Sequence, residues 1–412
     1  MVSTLTWIDY DSVAHEKSLQ MIRSFHEPES RDELGLGAIR DSFSDRLFPG
    51  TSTLHTRLRY MLFVAWTYKE CEHQQYQSRI FGARAEDIER NLIQPLISSV
   101  DPDGGVFGNE AGSELKRLPS SAYWGGLGSW GIRTINASQR QYEREVDRIY
   151  ERNRKAKLQA DDRDSGDSDQ QHHLESGTRT WHSGLPEPPQ GFPEELENLD
   201  FSLTVNEAEF ILDRLQTSHP YSLLYALACG GPLQPVAEPW LLDSPQITED
   251  QRGLLNDGRQ FSTVMHGAAL LYNHLLASQR KSEEWTGLYE GKLQDWNKSL
   301  DLNEIGKWSL DEFWEPHQKD GLHRITSATK EFVREWVDTT LELNGRVISS
   351  NKAGSLIRKR ERIVKKNRSR FDNEALLRQW NGSSATGIMT YRWERAQQFL
   401  KDLHRGLGVS TS

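Results

Sequence analysis

A chain of 412 residues exceeds the size at which a single hydrophobic core usually stops growing, so two or three packed units are expected. With 13 Trp, 14 Phe and 12 Tyr it holds enough large apolar side chains to fold, which excludes a wholly disordered chain despite a hydrophobic fraction of 36% and a mean hydropathy of −0.71. A formal net charge of −10 excludes a protein that coats nucleic acid with its entire surface, so any polyanion contact has to be local.

The start, Met1 to Tyr10, lacks the basic and then apolar regions of a secretory signal. The apolar positions Val13, Leu19, Met21, Ile22 and Phe25 predict a first helix, ended by Glu27-Pro28-Glu29-Ser30. A second helix is expected from Leu36 to Leu47, stopping at Phe48-Pro49-Gly50. A third, very apolar one is expected from His55 to about Gln75. Its most apolar part, Tyr60 to Trp66, falls far short of the ~20 residues that cross a bilayer, so no membrane span is expected. Ala85 to Ser99 reads as one further helix, followed by the turn-rich 101–105.

Two short helical pieces come next, Glu110 to Arg117 and a second after Leu118-Pro119 with Ser120 as its cap. With Gly131-Ile132 behind them they resemble a helix-turn-helix, in outline a winged one. The second piece carries Gly125, Gly126, Gly128 and Ser129 where base-reading side chains would stand, so ordinary helix packing is the stronger expectation.

From 155 to 198 the composition shifts to an acidic and then proline-rich insert that cannot bury enough surface to offset its ordering entropy. It is read as a flexible linker followed by an extended strap from Trp181 to Pro193. His172 and His173 lie in it, and without further ligands they make no metal site. Beyond it, helices are expected at Asn206 to Gln216, Ser222 to Cys229, Arg259 to Gln279, Lys330 to Leu343 and Thr390 to His404. No period-two strand pattern persists. The expected fold is therefore mainly α: an N-terminal helical unit at 1–154, the insert at 155–198, and a C-terminal helical unit at 199–412.

Cys71 and Cys229 are the sole cysteines and have no C-x-x-C partner, so neither a disulfide framework nor a cysteine zinc site is available, and the cytoplasm is the natural compartment. Nothing calls for a cofactor. The densest chemical feature is the segment from 358 to 370. It holds Arg358, Lys359, Arg360, Arg362, Lys365, Lys366, Arg368 and Arg370 against Glu361, a local +7 on a remainder of −17. Ile357, Val364 and Phe371 recur every seven residues beside Leu356 and Ile363, so a helix here would dock by a narrow stripe and display its cations. Such a face neutralises phosphates of DNA or RNA without reading sequence.

A second constellation is Arg259, His266 and Asn273, spaced by seven along one helix edge. Arg and His together suit RNA cleavage, with the imidazole as general acid or base and the guanidinium on the charged phosphorane-like state. The Arg-x6-His spacing permits the motif of the helical HEPN ribonucleases, and the polar residue that usually follows their Arg is here Gln260. Hydrogen bonding to neighbouring helices is the stronger expectation for His266 and Asn273.

Several phrases recur as a set: Ser3-Thr4-Leu5-Thr6-Trp7-Ile8-Asp9, Leu47-Phe48-Pro49-Gly50-Thr51-Ser52-Thr53, Leu118-Pro119-Ser120-Ser121-Ala122-Tyr123-Trp124, His266-Gly267-Ala268-Ala269-Leu270-Leu271-Tyr272-Asn273 and Tyr391-Arg392-Trp393. Over nearly its whole length the chain resembles an uncharacterised bacterial domain-of-unknown-function family. Genes of that family tend to lie near helicases and phospholipase D-like nucleases in phage-defence regions. The resemblance implies an accessory subunit with such proteins as partners, and it brings no catalytic residues.

Overall fold

The computed structural model describes residues 32–99, 101, 103–109, 115, 117–164, 179–196, 199–319 and 323–409. The helix expected between Val13 and Phe25, most of Glu110 to Arg117, and His172 and His173 lie outside them.

Asp32 opens the chain by accepting the Leu36 and Gly37 backbone N–H groups at 2.6 and 2.7 Å, which satisfies the first orphan donors of α1 (Gly37–Leu47). α1 buries Ile39, Phe43 and Leu47, then stops in a turn at Gly50. There φ is +73°, and a Cβ would lie 2.3 Å from the Trp130 Nε1 that donates to Pro49 O, so only glycine fits.

α2 (Tyr60–His73) is the central helix and buries ten of its residues; it starts five residues later than expected. The backbone N–H groups of Thr56 and Arg57 donate to the Tyr123 hydroxyl instead of entering a helix. The single helix expected over Ala85 to Ser99 is two, α3 (Ser78–Asn91) and α4 (Ile93–Ser98). Pro95 has no N–H to return to the Asn91 carbonyl, so the ladder breaks there.

α5 (Pro119–Ser129) packs on α2 and is capped differently from expectation. Ser120 lies inside it, and its N–H and hydroxyl donate to the buried Glu89 carboxylate at 2.6 and 2.7 Å. Tyr123, Trp124, Gly126 and Leu127 face the core, and only Gly125 is fully exposed. The helix therefore has no free surface to lay in a DNA groove. Among the described residues no strand forms a wing; one isolated bridge joins Arg133 to Trp181.

α6 (Gln139–Asp164) runs ten residues into the stretch expected as linker. Charged helix formers sustain it without an apolar face at its outer end, and this is where low hydrophobicity misled the sequence reading. Between 179 and 196 no helix forms: Trp181 is buried with Nε1 donating to Glu72, and Pro186 O accepts the Trp66 indole N–H at 2.7 Å.

α7 (Val205–Ser218) begins with a Thr204/Glu207 capping box, and Ser222 caps α8 (Leu223–Gly230). α9 (Glu249–Gln279) carries a Thr248/Gln251 capping box and starts ten residues before the apolar pattern does. It pairs with α10 (Glu283–Ser299) through Gly267, where a Cβ would meet the Trp296 ring at 2.1 Å. Two short helices follow, α11 (Leu302–Lys307) and α12 (Leu310–Lys319). Then come α13 (Ser327–Glu342), α14 (Asn351–Lys365), α15 (Glu374–Arg378) and α16 (Trp393–Gly406). The last starts three residues after Thr390 because Tyr391 and Arg392 take positive φ, +57° and +68°.

The two helical units share one hydrophobic cluster running from Leu34 to Leu403. α16 packs on α7 and α8 and turns Phe399 toward His55, and its Asp402 holds Arg57 at 2.9 Å. Arg392 reaches Asp45 at 2.7 Å. These contacts tie the C-terminal helix to the start of the chain.

Candidate nucleic-acid interface

α14 is started by Ser350, whose hydroxyl accepts the Ala353 N–H, and it lies against α9 and α13. Ala353, Gly354, Ile357, Arg360 and Glu361 face inward. The expected stripe holds at Ile357, which is fully buried, and at half-buried Val364. Phe371 lies beyond the helix, which ends at Lys365 in a 3-10 turn, Lys366–Arg368, and it packs edge-on against Tyr272 at 5.7 Å. Ile363 is exposed.

The eight cations divide sharply, by partners that lie far from them along the chain. Arg360 is buried at 4% exposure: Nε donates to Leu34 O at 2.7 Å, Nη2 to Gly35 O and Thr329 Oγ1 at 3.0 and 2.9 Å, and Nη1 to Ala328 O at 3.2 Å. It joins α13 and the 34–35 turn to α14 and is closed to any ligand, which corrects its place among the expected phosphate contacts. Lys365 and Arg370 both meet buried Glu33, at 3.0 and 2.8 Å. Burial works to raise the Glu33 pKa, but the charges of Arg370 and Lys365 outweigh it and hold the carboxyl below its ordinary value. Arg370 also donates to the Tyr272 hydroxyl at 2.7 Å.

Arg358 stacks its guanidinium over Phe371 at 5.4 Å, and Arg362 forks onto Asp372 at 2.8–3.0 Å in full view of solvent. Lys359, Lys366 and Arg368 are exposed and take no hydrogen bond or ion pair among the described residues. Lys352, Ser355, Lys359 and Arg362 form one solvent-facing ridge of α14 at steps of three and four, and Lys366 and Arg368 stand beyond its end in the 3-10 turn. Glu33 and Asp372, added to Glu361, lower the nominal +7 to +5.

The other constellation is differently spent. Asn273 is wholly buried. Its Nδ2 donates to Ala269 O and Ser384 O at 2.7 and 2.8 Å, and its Oδ1 accepts from Trp380 Nε1 and Ser384 N at 3.1 and 2.9 Å. All its capacity goes into clamping the 380–384 turn. His266 is half-buried, bonds the Thr386 backbone, and is pushed below its ordinary pKa by burial. Arg259 turns to Asn256 at 2.8 Å. The three residues share an edge of α9 but converge on no common point.

Other candidates carry little chemistry. His317 is buried against Ser42 at 2.8 Å, with burial holding its pKa down at about 4. Among the described residues no group of three or more His, Cys, Asp or Glu side chains is placed to hold a metal ion. An open cleft of about 860 Å³ between α2, α3 and α4 is lined by both signs of charge, among them Glu70, Arg84, Asp87 and Glu194. Sequence reasoning missed Glu33, whose partners are more than 300 residues away. It also missed a row of arginines on α6, although their four-residue spacing is legible.

These features define a helical protein with a local, solvent-facing cationic ridge. The family of unknown function DUF6361 matches residues 2–152 and 165–406, and the chain belongs to that family. No curated protein and no solved structure matches the chain. No helix among the described residues is long and apolar enough to cross a membrane.

Proposed function

We propose that the protein is a cytoplasmic, nucleic-acid-contacting accessory subunit of a bacterial anti-phage system, acting beside a separate helicase or a phospholipase D-like nuclease. The observation that carries the reading is the set of displayed cations on α14 and the 3-10 turn that follows it. The side chains of Lys359, Lys366 and Arg368 take no partner among the described residues although the chain as a whole is at −10, while Arg360, Lys365 and Arg370 are committed to the fold. Free cations on a rigid element can replace the counterions of a phosphate backbone. Asn367 stands exposed between Lys366 and Arg368, but cations set on a phosphate backbone fix position without reading bases.

The ribonuclease alternative centred on Arg259 and His266 draws less support, because Asn273 has no bonding capacity left for a substrate. The adaptor alternative needs no cationic ridge. Two experiments bear on the proposal. The triple variant K359A/K366A/R368A is expected to bind duplex DNA and RNA more weakly at low salt and to protect less against phage, while still co-purifying with the product of a neighbouring helicase or nuclease gene. Unchanged affinity would remove the nucleic-acid reading and leave the adaptor.

A further inference from the structure

The inner face of α6 is Tyr142, Val146 and Ile149, all buried, with Tyr142 edge-on to Phe81 of α3 at 5.6 Å. The acids beside this face are committed: Glu143 accepts from the Tyr68 hydroxyl and Gln139, and Asp147 accepts both the N–H and the hydroxyl of Ser78. In a row that starts opposite this face and winds toward the side of Ile149, Arg140, Arg144, Arg148 and Arg152 are all exposed, and among the described residues none of them donates a hydrogen bond. Beyond Tyr150 the helix leaves the core, with residues 151–155 exposed throughout and Leu158 at 59% exposure.

Like charges four apart on a helix repel, so three consecutive arginine steps oppose the helix that carries them. At ~1.5 Å per residue the four guanidinium positions are spread over ~18 Å at intervals of ~6 Å, a spacing comparable to that of adjacent phosphates on one strand. A polyanion laid along the row turns the repulsion into attraction. No exposed aromatic residue accompanies the row, and single-strand binders need such side chains as stacking platforms. The row's own positions, 140, 144, 148 and 152, are all arginine, which on phosphates reads no sequence.

We infer that the Arg140–Arg144–Arg148–Arg152 ridge of α6 is a second phosphate-backbone contact, built for a nucleic-acid duplex and separate from the row on α14. It does not rest on the α14 reading, and its test is run where that row is already gone. In the full-length K359A/K366A/R368A background, a short fluorescent DNA duplex and its RNA counterpart are titrated against the chain with and without R144A/R148A/R152A. The added alanines are expected to lower affinity at least tenfold at low salt and to flatten the slope of log affinity against log salt by about three, while R144K/R148K/R152K keeps both. The companion variant E145Q/E151Q, which removes the uncommitted acids, is expected to tighten binding. The inference is overturned if the alanine variant binds with the parental affinity and slope, or if the variant fails to fold and E145Q/E151Q leaves affinity unchanged.

Discussion

Two neighbouring cations on α14 show how burial decides what a charge does. Arg360 makes four hydrogen bonds inside the protein, three of them to backbone carbonyls, whereas Lys359 makes none among the described residues. Removing a buried guanidinium that makes four bonds strands its acceptors, so Arg360→Ala is expected to cost about 3 kcal/mol in chemical denaturation, and Lys359→Ala no more than about 0.5. Lysine should not restore Arg360, because it lacks the planar fork.

Glu89 supplies a second test at this scale. It is buried at the start of α5, and burial pushes its carboxyl up to about 7 from an ordinary 4.5, against the pull of its bonds to Ser120. A group whose folded pKa is raised binds its proton more tightly in the folded protein, so its contribution favours folding at pH 4.5 and is lost as pH climbs toward 7. Glu89→Gln keeps a neutral, hydrogen-bonding side chain there. Relative to the parent it is expected to gain about 3 kcal/mol of stability between pH 4.5 and 7, read from melting curves across that range. A difference that stays flat with pH would contradict the assignment.

At the scale of elements, α9 is held to its neighbours by contacts that glycine and asparagine alone provide. Gly267→Ala would drive a methyl group into the Trp296 ring, and a loss of about 1–3 kcal/mol is expected. Asn273→Ala strips the 380–384 turn of its clamp and should cost a similar amount, visible as faster amide exchange at Ser384. How much of this the sequence carried depends on the range of the interaction. The apolar period of α9 and the start of α8 at Ser222 are local patterns and were legible, whereas the partners of Asn273, Trp380 and Ser384, lie more than 100 residues away and were not. The outer half of α6 was not, because its helicity rests on charged helix formers and shows no apolar face to read. The break at Leu92 was readable from Pro95 in retrospect.

For the whole molecule, net charge says little until the partners are known. Of the eight cations expected to meet phosphate, Arg360 is closed off by residues 34–35 and 328–329, and Lys365 and Arg370 by Glu33. All these partners are distant in sequence, so charge density alone could not separate structural cations from displayed ones. The shared core from Leu34 to Leu403, with Arg57–Asp402 and Arg392–Asp45 crossing it, joins the N-terminal turn and the last helix in one body. The displayed cations therefore sit on a rigid support, which suits a backbone contact that fixes position without reading bases.

The salt dependence of duplex binding tests that account most directly. For the intact chain, log affinity should fall linearly with log salt, and K359A/K366A/R368A should flatten the slope by about one unit for each cation removed without lowering the melting temperature. A slope that is the same in the triple variant as in the parent, or binding that is indifferent to salt, would contradict it.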